Sequence, residues 1–498
     1  MPVPRGADGF HHPASEDEIV ELIRDARAHG RRVRARGSGH TFPARAIHTE
    51  RFPKAQDDEV NVLLDRWRGV RLDESGRTAA VRAGTHLGID PQDPTSTWAN
   101  VVLLPLDRKG WALSHLGGIS HQTVAGFLST GSNGGSLTRS AYDNVVGVRL
   151  VDGTGKVHEL QRDRDERFFG AVVSMGLWGM ITEVTFRCED RYDILGQEAI
   201  TTVADCACDL FSAGPKGVSE YLTRKEYGRM MWWPQADRIT AWEARRMRRE
   251  DYTPEVAPKG VFTPKVYSEL GSHPELNATL AGAAYDLLGK WVDDPSAYKT
   301  LAAVLPPLVG AFVPLDKGRP PQRFWDSWYH GLPMDNGVSD EKVPIEFSEI
   351  WVPLDRADEA LRLLRDHFKG GIGATGILSS EIYGAKRTDF WMHASYGEDR
   401  MRIDFLWFSR ADGDPAKVFY PQYWELLKEM PFRVHWGKHV PSPDTPWNGW
   451  KADRSVGSWT EYLRRQYPRW DDFLAVRKEL DPDGVFLTRY WRRRLGIA

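Results

Sequence analysis

The chain has 498 residues, which at roughly 150 residues per domain exceeds one compact core. Lys and Arg number 66 and Asp and Glu 69, so the net charge of −3 lacks the basic excess that nucleic-acid binding requires. Hydrophobic residues make up 41% and charged residues 27%, a composition typical of packed soluble domains and not of a disordered chain.

The cysteine content and the apolar segments indicate the cellular setting. Cys188, Cys206 and Cys208 are too few for a disulfide framework, and no second cysteine pair completes a zinc site, so no metal centre is expected. Residues 1–9 lack the apolar stretch of a signal peptide. The most apolar segment, residues 301–315, contains three prolines and is shorter than the ~20 residues of a membrane span. The sequence therefore favours a cytoplasmic protein that does not cross a membrane, and it leaves the oligomeric state open.

The first predicted elements are one helix and several short strands. Ser15, three acidic residues and then apolar residues at helical spacing predict a helix over 16–29. The alternating residues 32–35 predict a strand that runs into Gly37-Ser38-Gly39-His40, where two glycines permit backbone angles that other residues resist. Further strands at 61–64 and 78–83 favour a small α+β subdomain.

The next segment, residues 116–136, is rich in glycine, serine and threonine, and such small residues let the backbone lie directly against a ligand. Beyond it, residues 144–151 and 156–160 predict a hairpin around an Asp-Gly-Thr-Gly turn. A short helix is predicted over 163–173 and a strand over 179–186, followed by a domain boundary near residue 190.

Residues 191–425 have a different pattern. Aromatic-rich strands, such as 230–233 and 402–408, alternate with helical segments, such as 357–367. This alternation predicts a separate α+β domain in which an antiparallel sheet carries helices on one face.

The loop Gly37-Ser38-Gly39-His40-Thr41 offers consecutive backbone N–H groups beside small side chains, the arrangement that binds a pyrophosphate. It is not a Rossmann fingerprint, because no third glycine opens a helix, and not a P-loop, because no Gly-Lys-Ser or Gly-Lys-Thr follows. Alone, such a loop is also compatible with an ordinary turn. Two small-residue loops, each after a short strand, indicate an extended dinucleotide that is held from two sides.

In combination these motifs resemble a known family. The segments 36–42, 116–126 and 179–185, in this order, are similar to the flavin domain of the vanillyl-alcohol oxidase superfamily. His435-Trp436-Gly437-Lys438 and residues 481–486 resemble its aldonolactone and alditol oxidase branch, the sugar-1,4-lactone oxidases. The similarity covers residues 15–190 and 425–490, and between them only the region of 349–353.

The resemblance implies an α+β architecture in three parts. A PCMH-type FAD-binding domain of two α+β subdomains is expected at 1–190, and a substrate-binding cap domain with a large antiparallel sheet flanked by helices at 191–425. The C-terminal segment 426–498 is expected to complete the active site and to pack back on the FAD domain.

The cofactor implied by the resemblance is FAD, with its pyrophosphate on residues 37–42 and on the loop 117–132. His40 stands where this branch commonly bonds a ring nitrogen to the flavin 8α-methyl group, and an imidazole can act as a nucleophile toward that carbon. The alternative is that His40 only hydrogen-bonds the nearby backbone. Ile181 is expected to present its backbone to the adenine. The expected cofactor-binding residues are Arg36, Gly37, Ser38, Gly39, His40, Thr41, Phe42, Gly117, Gly118, Ser120, Thr123, Gly126, Thr130, Gly131, Ser132, Asn133, Gly179 and Ile181.

On the substrate side, residues 348–353 resemble the strand that brings an active-site carboxylate, here Glu349, over the flavin. The alditol oxidases carry an arginine two residues later, where this chain has Trp351. Tyr383 stands where lactone oxidases tend to carry arginine, and Asn133 where a histidine is usual. An indole in place of a bidentate cation favours a less polar or ring-bearing substrate, so Trp351 and Tyr383 are candidate substrate contacts.

The leading catalytic candidate is Lys438. When a hydride reaches flavin N5, negative charge appears at N1 and the C2 carbonyl, and a fixed cation stabilises it. His435 and Glu349 are candidates to orient or deprotonate the substrate hydroxyl. For Glu349 the alternative is a surface carboxylate.

The sequence thus predicts an FAD-dependent oxidase acting on a small molecule, which moves a hydride from an alcohol or lactol carbon to the flavin and reduces oxygen to hydrogen peroxide. Gly117 resembles the position where dehydrogenases of the family tend to carry a bulkier alanine, and the smaller residue favours oxygen access. Two alternatives stay open: a dehydrogenase of the same fold with another acceptor, and a nucleotide-binding protein without redox activity. The substrate itself is not encoded in these motifs.

Overall fold

A computed structural model describes residues 3–41, 59–260, 294–336, 345–371, 375–408, 414–451 and 454–497, together with 283 and 287–292. The helices are Glu16–Ala28, Leu103–Arg108, Val124–Ser129, Phe168–Ala171, Val218–Arg224, Tyr298–Phe312, Trp328–Gly331, Ala357–Phe368, Pro415–Val418, Tyr420–Leu427, Trp459–Gln466, Trp470–Leu480 and Arg489–Arg494. None of the helices in these ranges combines the length and the apolar character needed to cross a membrane.

The strands are β1 (Val33–Arg36), β2 (Val60–Leu63), β3 (Val70–Asp73), β4 (Thr78–Arg82), β5 (Trp111–Ala112), β6 (Val145–Val151), β7 (Val157–Gln161), β8 (Met180–Arg187), β9 (Glu189–Asp190), β10 (Asp193–Thr201), β11 (Tyr227–Trp233), β12 (Arg238–Met247), β13 (Gln322–Ser327), β14 (Ile345–Pro353), β15 (Ser379–Ala385), β16 (Arg400–Phe408) and β17 (Arg433–Val434).

The N-terminal part is built on two small sheets. β1 and β2 pair in parallel, and an antiparallel sheet has the strand order β3-β4-β8-β6-β7. The first helix begins at Ser15, whose hydroxyl accepts a hydrogen bond from the Glu18 N–H, and it buries one apolar face. The predicted helix over 163–173 is reduced to Phe168–Ala171, because the backbone before it forms turns in which Arg164 and Asp165 both donate to the Gln161 carbonyl.

The second part is an eight-stranded sheet with the order β13-β10-β12-β11-β15-β16-β14-β17. Its pairings are antiparallel, which confirms the predicted architecture of the large sheet. The helices 218–224 and 357–368 contact each other and pack on β15 and β14. One face of the sheet is thereby covered by helices.

The register of the central strands produces two rows of polar side chains. In one row Glu349 of β14, Asp404 of β16 and Glu381 of β15 lie side by side. In the other row the order is Trp351, Arg402, Tyr383 and Arg229. Because side chains two residues apart project from the same face of a strand, both rows share one face of the sheet.

The C-terminal segment contacts both parts of the molecule. β17 adds to the edge of the large sheet beside β14, with Val434 opposite Ile350. Farther along, the Phe473 carbonyl accepts a hydrogen bond of 3.1 Å from the Trp178 indole, and the Val485 carbonyl accepts one of 2.9 Å from the Val33 N–H. These contacts hold the turn after β17 between the large sheet and the N-terminal sheets.

Gly84 offers a test of this packing. A Cβ at Gly84 would overlap the carbonyl oxygen of Leu64, which follows β2. We expect Gly84→Ala to lower the free energy of unfolding by about 1–3 kcal/mol, since overpacking forces the backbone apart. Thermal unfolding followed by circular dichroism measures the effect.

Gly310→Ala is the matched control. Gly310 lies inside the helix 298–312, and its nearest neighbour for a Cβ is Arg238 Nη2 at 3.6 Å. Alanine is the better helix former, so this variant should be as stable as the wild type or more stable. Equal unfolding midpoints for both variants would contradict the packing described around Leu64.

Candidate active site

A cavity of about 420 Å³ lies between the N-terminal sheets and the C-terminal segment. Its walls come from β1 and the loop after it, from the helix that begins at Val124, from the start of β8 and from the turn after β17. The cavity brings together many residues that the sequence singled out: Arg36, Gly37, Ser38, Gly39, His40, Thr41, Thr123, Gly126, Thr130, Ser132, Gly179, Ile181, His435 and Lys438.

The two glycine-rich loops meet at Gly37 and Thr123. A Cβ on Gly37 would lie 2.6 Å from Thr123 Oγ1, so only glycine permits this approach. Thr123 Oγ1 in turn accepts a hydrogen bond of 3.3 Å from the Gly126 N–H and caps the helix 124–129. Gly39 has φ +86°, a left-handed conformation that favours glycine.

The cavity wall fits the anionic part of FAD. Ser38 Oγ is buried and has no hydrogen-bond partner in the protein, although a buried unsatisfied hydroxyl costs about 1–3 kcal/mol. The Arg36 guanidinium belongs to the same wall. At the other end Gly179 has φ +152°, and a Cβ there would overlap the Val151 carbonyl. Gly179, Met180 and Ile181, which include the residue expected to contact the adenine, also line the cavity.

His40 lies in the cavity wall with its ring centroid 4.5 Å from that of His121. The two rings are tilted by 40°. The imidazole predicted to attach the flavin is thus inside the cavity that fits the cofactor.

Several predicted cofactor residues are not among those that line the cavity. Gly118 and Ser120 contact the segment 335–336 instead: Asp335 N–H donates to the Gly118 carbonyl at 2.8 Å, and the Asn336 amide exchanges two hydrogen bonds of 2.8 Å with Ser120. Gly117 is also absent from the cavity lining. A Cβ on Gly117 would lie 3.0 Å from Phe127 Cε2.

Gly131 and Asn133 also lie outside the lining. A Cβ on Gly131, at φ +87°, would be 3.6 Å from the His393 ring. The Asn133 carbonyl accepts a hydrogen bond of 2.7 Å from Arg402 Nη1. Phe42 is outside the described residues.

Glu349 is a buried carboxylate with several positive partners, not a surface group: its exposed fraction is 2%. Oε1 accepts a hydrogen bond of 2.7 Å from the Trp351 indole and lies 3.6 Å from Arg402 Nη1. Burial raises the pKa of Glu349, but the charges of Arg402 and Lys438 and the Trp351 hydrogen bond outweigh it, so the pKa stays below its usual value. Glu349 is therefore ionised at neutral pH.

Arg402 supplies from β16 the guanidinium that the sequence lacks at positions 351 and 383. It lies between these two aromatic residues, with its guanidinium carbon 3.8 Å from the Tyr383 ring centroid and 5.9 Å from that of Trp351. Trp351 and Tyr383 are fully buried, and they donate hydrogen bonds to Glu349 and Glu381 respectively. The structure thus makes them partners of the carboxylates, and Glu349, Trp351 and Tyr383 all lie behind the residues that line the cavity.

His435 is a neutral hydrogen-bond donor. Its Nδ1 accepts a hydrogen bond of 3.0 Å from the Gly437 N–H, so the ring proton is assigned to Nε2, which lies 3.2 Å from Ser132 Oγ. Burial lowers the pKa of His435 to about 4. At neutral pH both ring nitrogens are thus engaged, and His435 has no lone pair with which to take a substrate proton.

Lys438 is held in the cavity wall by the turn after β17. The His435 N–H donates to the Glu349 carbonyl at 3.3 Å, and the His439 N–H donates to the Phe347 carbonyl at 3.2 Å. The Lys438 ammonium lies 3.8 Å from the centroid of the Phe347 ring. The two hydrogen bonds fix the backbone of the turn relative to β14, the strand that carries Glu349, and the Phe347 ring of the same strand contacts the ammonium group.

Sequence reasoning missed four residues of this site, namely Arg229, Glu381, Arg402 and Asp404. All four are at most 9% exposed. The signal was present in 400–408, where Arg400, Arg402 and Asp404 alternate with apolar residues. Charged residues on a buried strand face are rare without a partner, so this pattern indicated a polar site.

The site can be compared with known proteins. The family model of D-arabinono-1,4-lactone oxidase matches residues 184–494, and that of an FAD binding domain matches residues 7–89. An L-gulono-1,4-lactone dehydrogenase from Mycobacterium tuberculosis is 23% identical over 487 residues, which cover 97% of this chain and 95% of the relative. An L-gulonolactone oxidase from Bos taurus is 21% identical over 492 residues, with 97% and 93% covered.

Among solved structures, a cholesterol oxidase from B. sterolicum is similar with a TM-score of 0.71 and 13% identity, over 98% of this chain and 93% of that one. At this identity the likeness concerns the fold. It agrees with the expected PCMH-type arrangement of a flavin domain and a cap domain with a large antiparallel sheet.

Ser38 gives a test of the cofactor cavity. Ser38→Ala removes a hydroxyl that has no partner in the protein, so the apoprotein should be at least as stable as the unchanged one. The affinity for FAD should fall about five- to tenfold, the effect of one lost hydrogen bond. Both are measured in a His40→Ala background, by thermal unfolding and by titration with FAD.

Ser174→Ala is the matched control, because Ser174 Oγ is also buried without a partner but is not part of the cavity lining. It should leave the FAD affinity unchanged. Equal affinities for the Ser38 and Ser174 variants would remove Ser38 from the cofactor site.

Proposed function

Because this chain belongs to the D-arabinono-1,4-lactone oxidase family, we propose that it is an FAD-dependent oxidase that oxidises the CH–OH carbon of a small polyhydroxylated alcohol, lactol or lactone. The observation that carries the proposal is the turn 435–438, which holds Lys438 in the wall of the cavity lined by the two glycine-rich loops and is hydrogen-bonded to the strand of the ionised Glu349. When bound, FAD supplies the hydride acceptor.

Glu349 is the proton acceptor in this proposal. Loss of a hydride from carbon requires the hydroxyl oxygen to lose its proton, and the substrate then leaves as a carbonyl compound. Glu349 is ionised, whereas His435 has no available lone pair. We therefore assign proton removal to Glu349 and hydrogen-bond donation from Nε2 to His435.

Lys438 provides the positive charge. The preorganised Lys438 ammonium would stabilise the negative charge that a bound FAD gains when it accepts the hydride. The turn that carries Lys438 is hydrogen-bonded to β14, the strand that carries Glu349. The proton acceptor and the stabilising cation are therefore held in a fixed relation to each other.

The polar sheet face supports a polyhydroxylated substrate. The sequence alone favoured a less polar or ring-bearing substrate, because Trp351 and Tyr383 replace arginines. In the structure Arg402 lies between these two rings and close to Glu349. This part of the sheet therefore still carries a guanidinium group, although positions 351 and 383 are aromatic. This polarity supports a substrate such as an aldonolactone, which presents several hydroxyl oxygens and a carbonyl.

Oxygen is the proposed electron acceptor, and a dehydrogenase is the second candidate. The names of the relatives include both classes: an oxidase from Bos taurus and a dehydrogenase from Mycobacterium tuberculosis. Stopped-flow mixing of the reduced protein with air-saturated buffer separates them. Rapid reoxidation with peroxide release supports the oxidase, while a reduced flavin that persists in air and reacts with a quinone supports the dehydrogenase.

Covalent attachment of FAD through His40 is part of the proposal. The His40 ring lies in the cavity wall, where a ring nitrogen would bond to the 8α-methyl carbon of a bound FAD. Forming that bond would release one proton from the imidazole, one proton from the methyl group and two electrons, and oxygen would accept the electrons. Acid-precipitated protein should stay yellow, and its mass should exceed that of the polypeptide by one FAD. Mass spectrometry and the pellet's absorbance measure this.

His121→Ala is the control for attachment, because the His121 ring is next to His40. This variant should keep its bound flavin after acid treatment, whereas His40→Ala should release it. If the wild-type pellet is colourless and all flavin is in the supernatant, attachment through His40 is wrong.

The catalytic assignment predicts two slow variants. Lys438→Met should slow flavin reduction by about 10²-fold or more, the range for losing one preorganised charge. Glu349→Gln should slow it as well and should abolish the acid limb of its pH profile. Since the pKa of Glu349 is lowered, the wild-type rate should fall only below the usual pH range of a carboxylate.

Lys386→Met is the control, because Lys386 pairs with Asp143 at 2.9 Å and is not part of the cavity lining. Its rate in anaerobic single-turnover mixing should match the wild type. Wild-type rates in both the Lys438 and the Glu349 variants would refute the assignment.

A further inference from the structure

The proposed reaction uses Glu349 but not the carboxyl group beside it. Asp404 lies directly opposite Glu349 across the β14–β16 pair and directly opposite Glu381 across the β15–β16 pair. Cβ atoms of directly opposed residues are about 4.5–5.5 Å apart. Asp404 and Glu349 are each 2% exposed and Glu381 is 9% exposed, so three buried carboxyl groups lie in one row with Asp404 in the middle.

The two outer carboxyl groups have partners of their own. Glu349 accepts from the Trp351 indole and is 3.6 Å from Arg402. Glu381 accepts from the Tyr383 hydroxyl and is 3.4 Å from Arg229. By contrast, Asp404 Oδ1 is buried without a hydrogen-bond partner.

The cations around the row do not compensate three negative charges. Arg402 donates its short hydrogen bond to the Asn133 carbonyl, and Arg229 also pairs with Asp335. Lys438 lies in the cavity wall next to the neutral His435, and its charge acts on both Glu349 and Asp404. Like charges directly opposite each other in a buried sheet are strongly unfavourable, and one proton on the middle group relieves both repulsions.

We propose that Asp404 is a positioning residue that keeps its proton at neutral pH and presents its O–H to Glu349, so that Glu349 carries the negative charge that receives the substrate proton. This inference rests on the proposed function only for the role of Glu349. Burial and the neighbouring Glu349 carboxylate also raise the pKa of Asp404 well above its usual value.

Stability as a function of pH tests the charge state without any turnover. A carboxyl group whose pKa is raised in the folded protein weakens the fold progressively as the pH rises above its unfolded pKa. Asp404→Asn removes this loss. The difference between its unfolding midpoint and that of the wild type should therefore be more favourable to the variant at about pH 7.5 than at about pH 4.5. Glu349→Gln should differ, since the pKa of Glu349 is lowered: its stability relative to the wild type should stay nearly constant over this range and change only below about pH 4.5, where the wild type loses the contribution of the Glu349 carboxylate.

Asp193→Asn is the matched control. Asp193 is also 2% exposed, but it pairs with Arg249 at 2.8 Å and accepts from the Trp325 indole at 2.9 Å. Its variant should be less stable than the wild type at both pH values. If Asp404→Asn instead loses stability relative to the wild type as the pH rises, Asp404 is ionised and the proposal is overturned.

Infrared spectroscopy gives the direct observation. Wild-type protein at neutral pH should show the C=O stretching band of a protonated carboxyl group, which shifts in D₂O. The Asp404 contribution should be missing from Asp404→Asn and present in Asp193→Asn. Identical bands in wild type and Asp404→Asn would contradict the assignment.

The pH profile of flavin reduction then connects the charge state to the reaction. An amide mimics a protonated carboxyl group, so Asp404→Asn should slow reduction less than about tenfold and keep the acid limb in place. If Asp404 were charged, the substitution would remove its repulsion of the Glu349 carboxylate. The acid limb of the profile would then move to lower pH by about one unit or more. Failure to oxidise any alcohol would refute the proposed function alone, because stability and infrared spectra report on Asp404 independently.

Discussion

The buried guanidinium of Arg402 is the interaction on which the site depends. It lies 3.6 Å from the Glu349 carboxylate, donates 2.7 Å to the Asn133 carbonyl and stacks on the Tyr383 ring. Burying a carboxylate without such a partner costs several kcal/mol, because the charge loses its hydration. An unpaired buried carboxylate would therefore take up a proton. Arg402 therefore keeps Glu349 ionised and at the same time joins the large sheet to the N-terminal part that holds the cofactor cavity.

A second connection between the two parts explains the position of the glycine-rich loop. The segment 335–336 hydrogen-bonds to Gly118 and Ser120, and Asp335 also pairs with Arg229 of the polar row. The loop that contains Gly118 and Ser120 is thus fixed to the face of the large sheet that carries the three carboxyl groups. A Cβ on Gly118 would overlap Asp335 Oδ2, so the carboxylate that pairs with Arg229 would have to move.

Elements whose signal is local could be predicted from the sequence. The first helix, β1 with its glycine loop and the hairpin of β6 and β7 follow from capping, alternation and turn residues, and each lies within a few residues of its predicted bounds. The resemblance of the motifs then located Glu349, His435 and Lys438. Cross-strand register is not a local property, so the sequence could not show that Arg402 occupies the space between Trp351 and Tyr383 or that Asp404 stands between two glutamates.

The central claim is tested most directly by mixing the wild-type holoprotein with aldonolactones in the absence of oxygen and recording flavin absorbance. The account predicts that D-arabinono-1,4-lactone, L-gulono-1,4-lactone or a related polyhydroxylated compound bleaches the flavin band, and that admitting air restores the band with one peroxide per flavin. A protein that purifies without flavin, or a bound flavin that no alcohol, lactol or lactone of this class reduces, would contradict it.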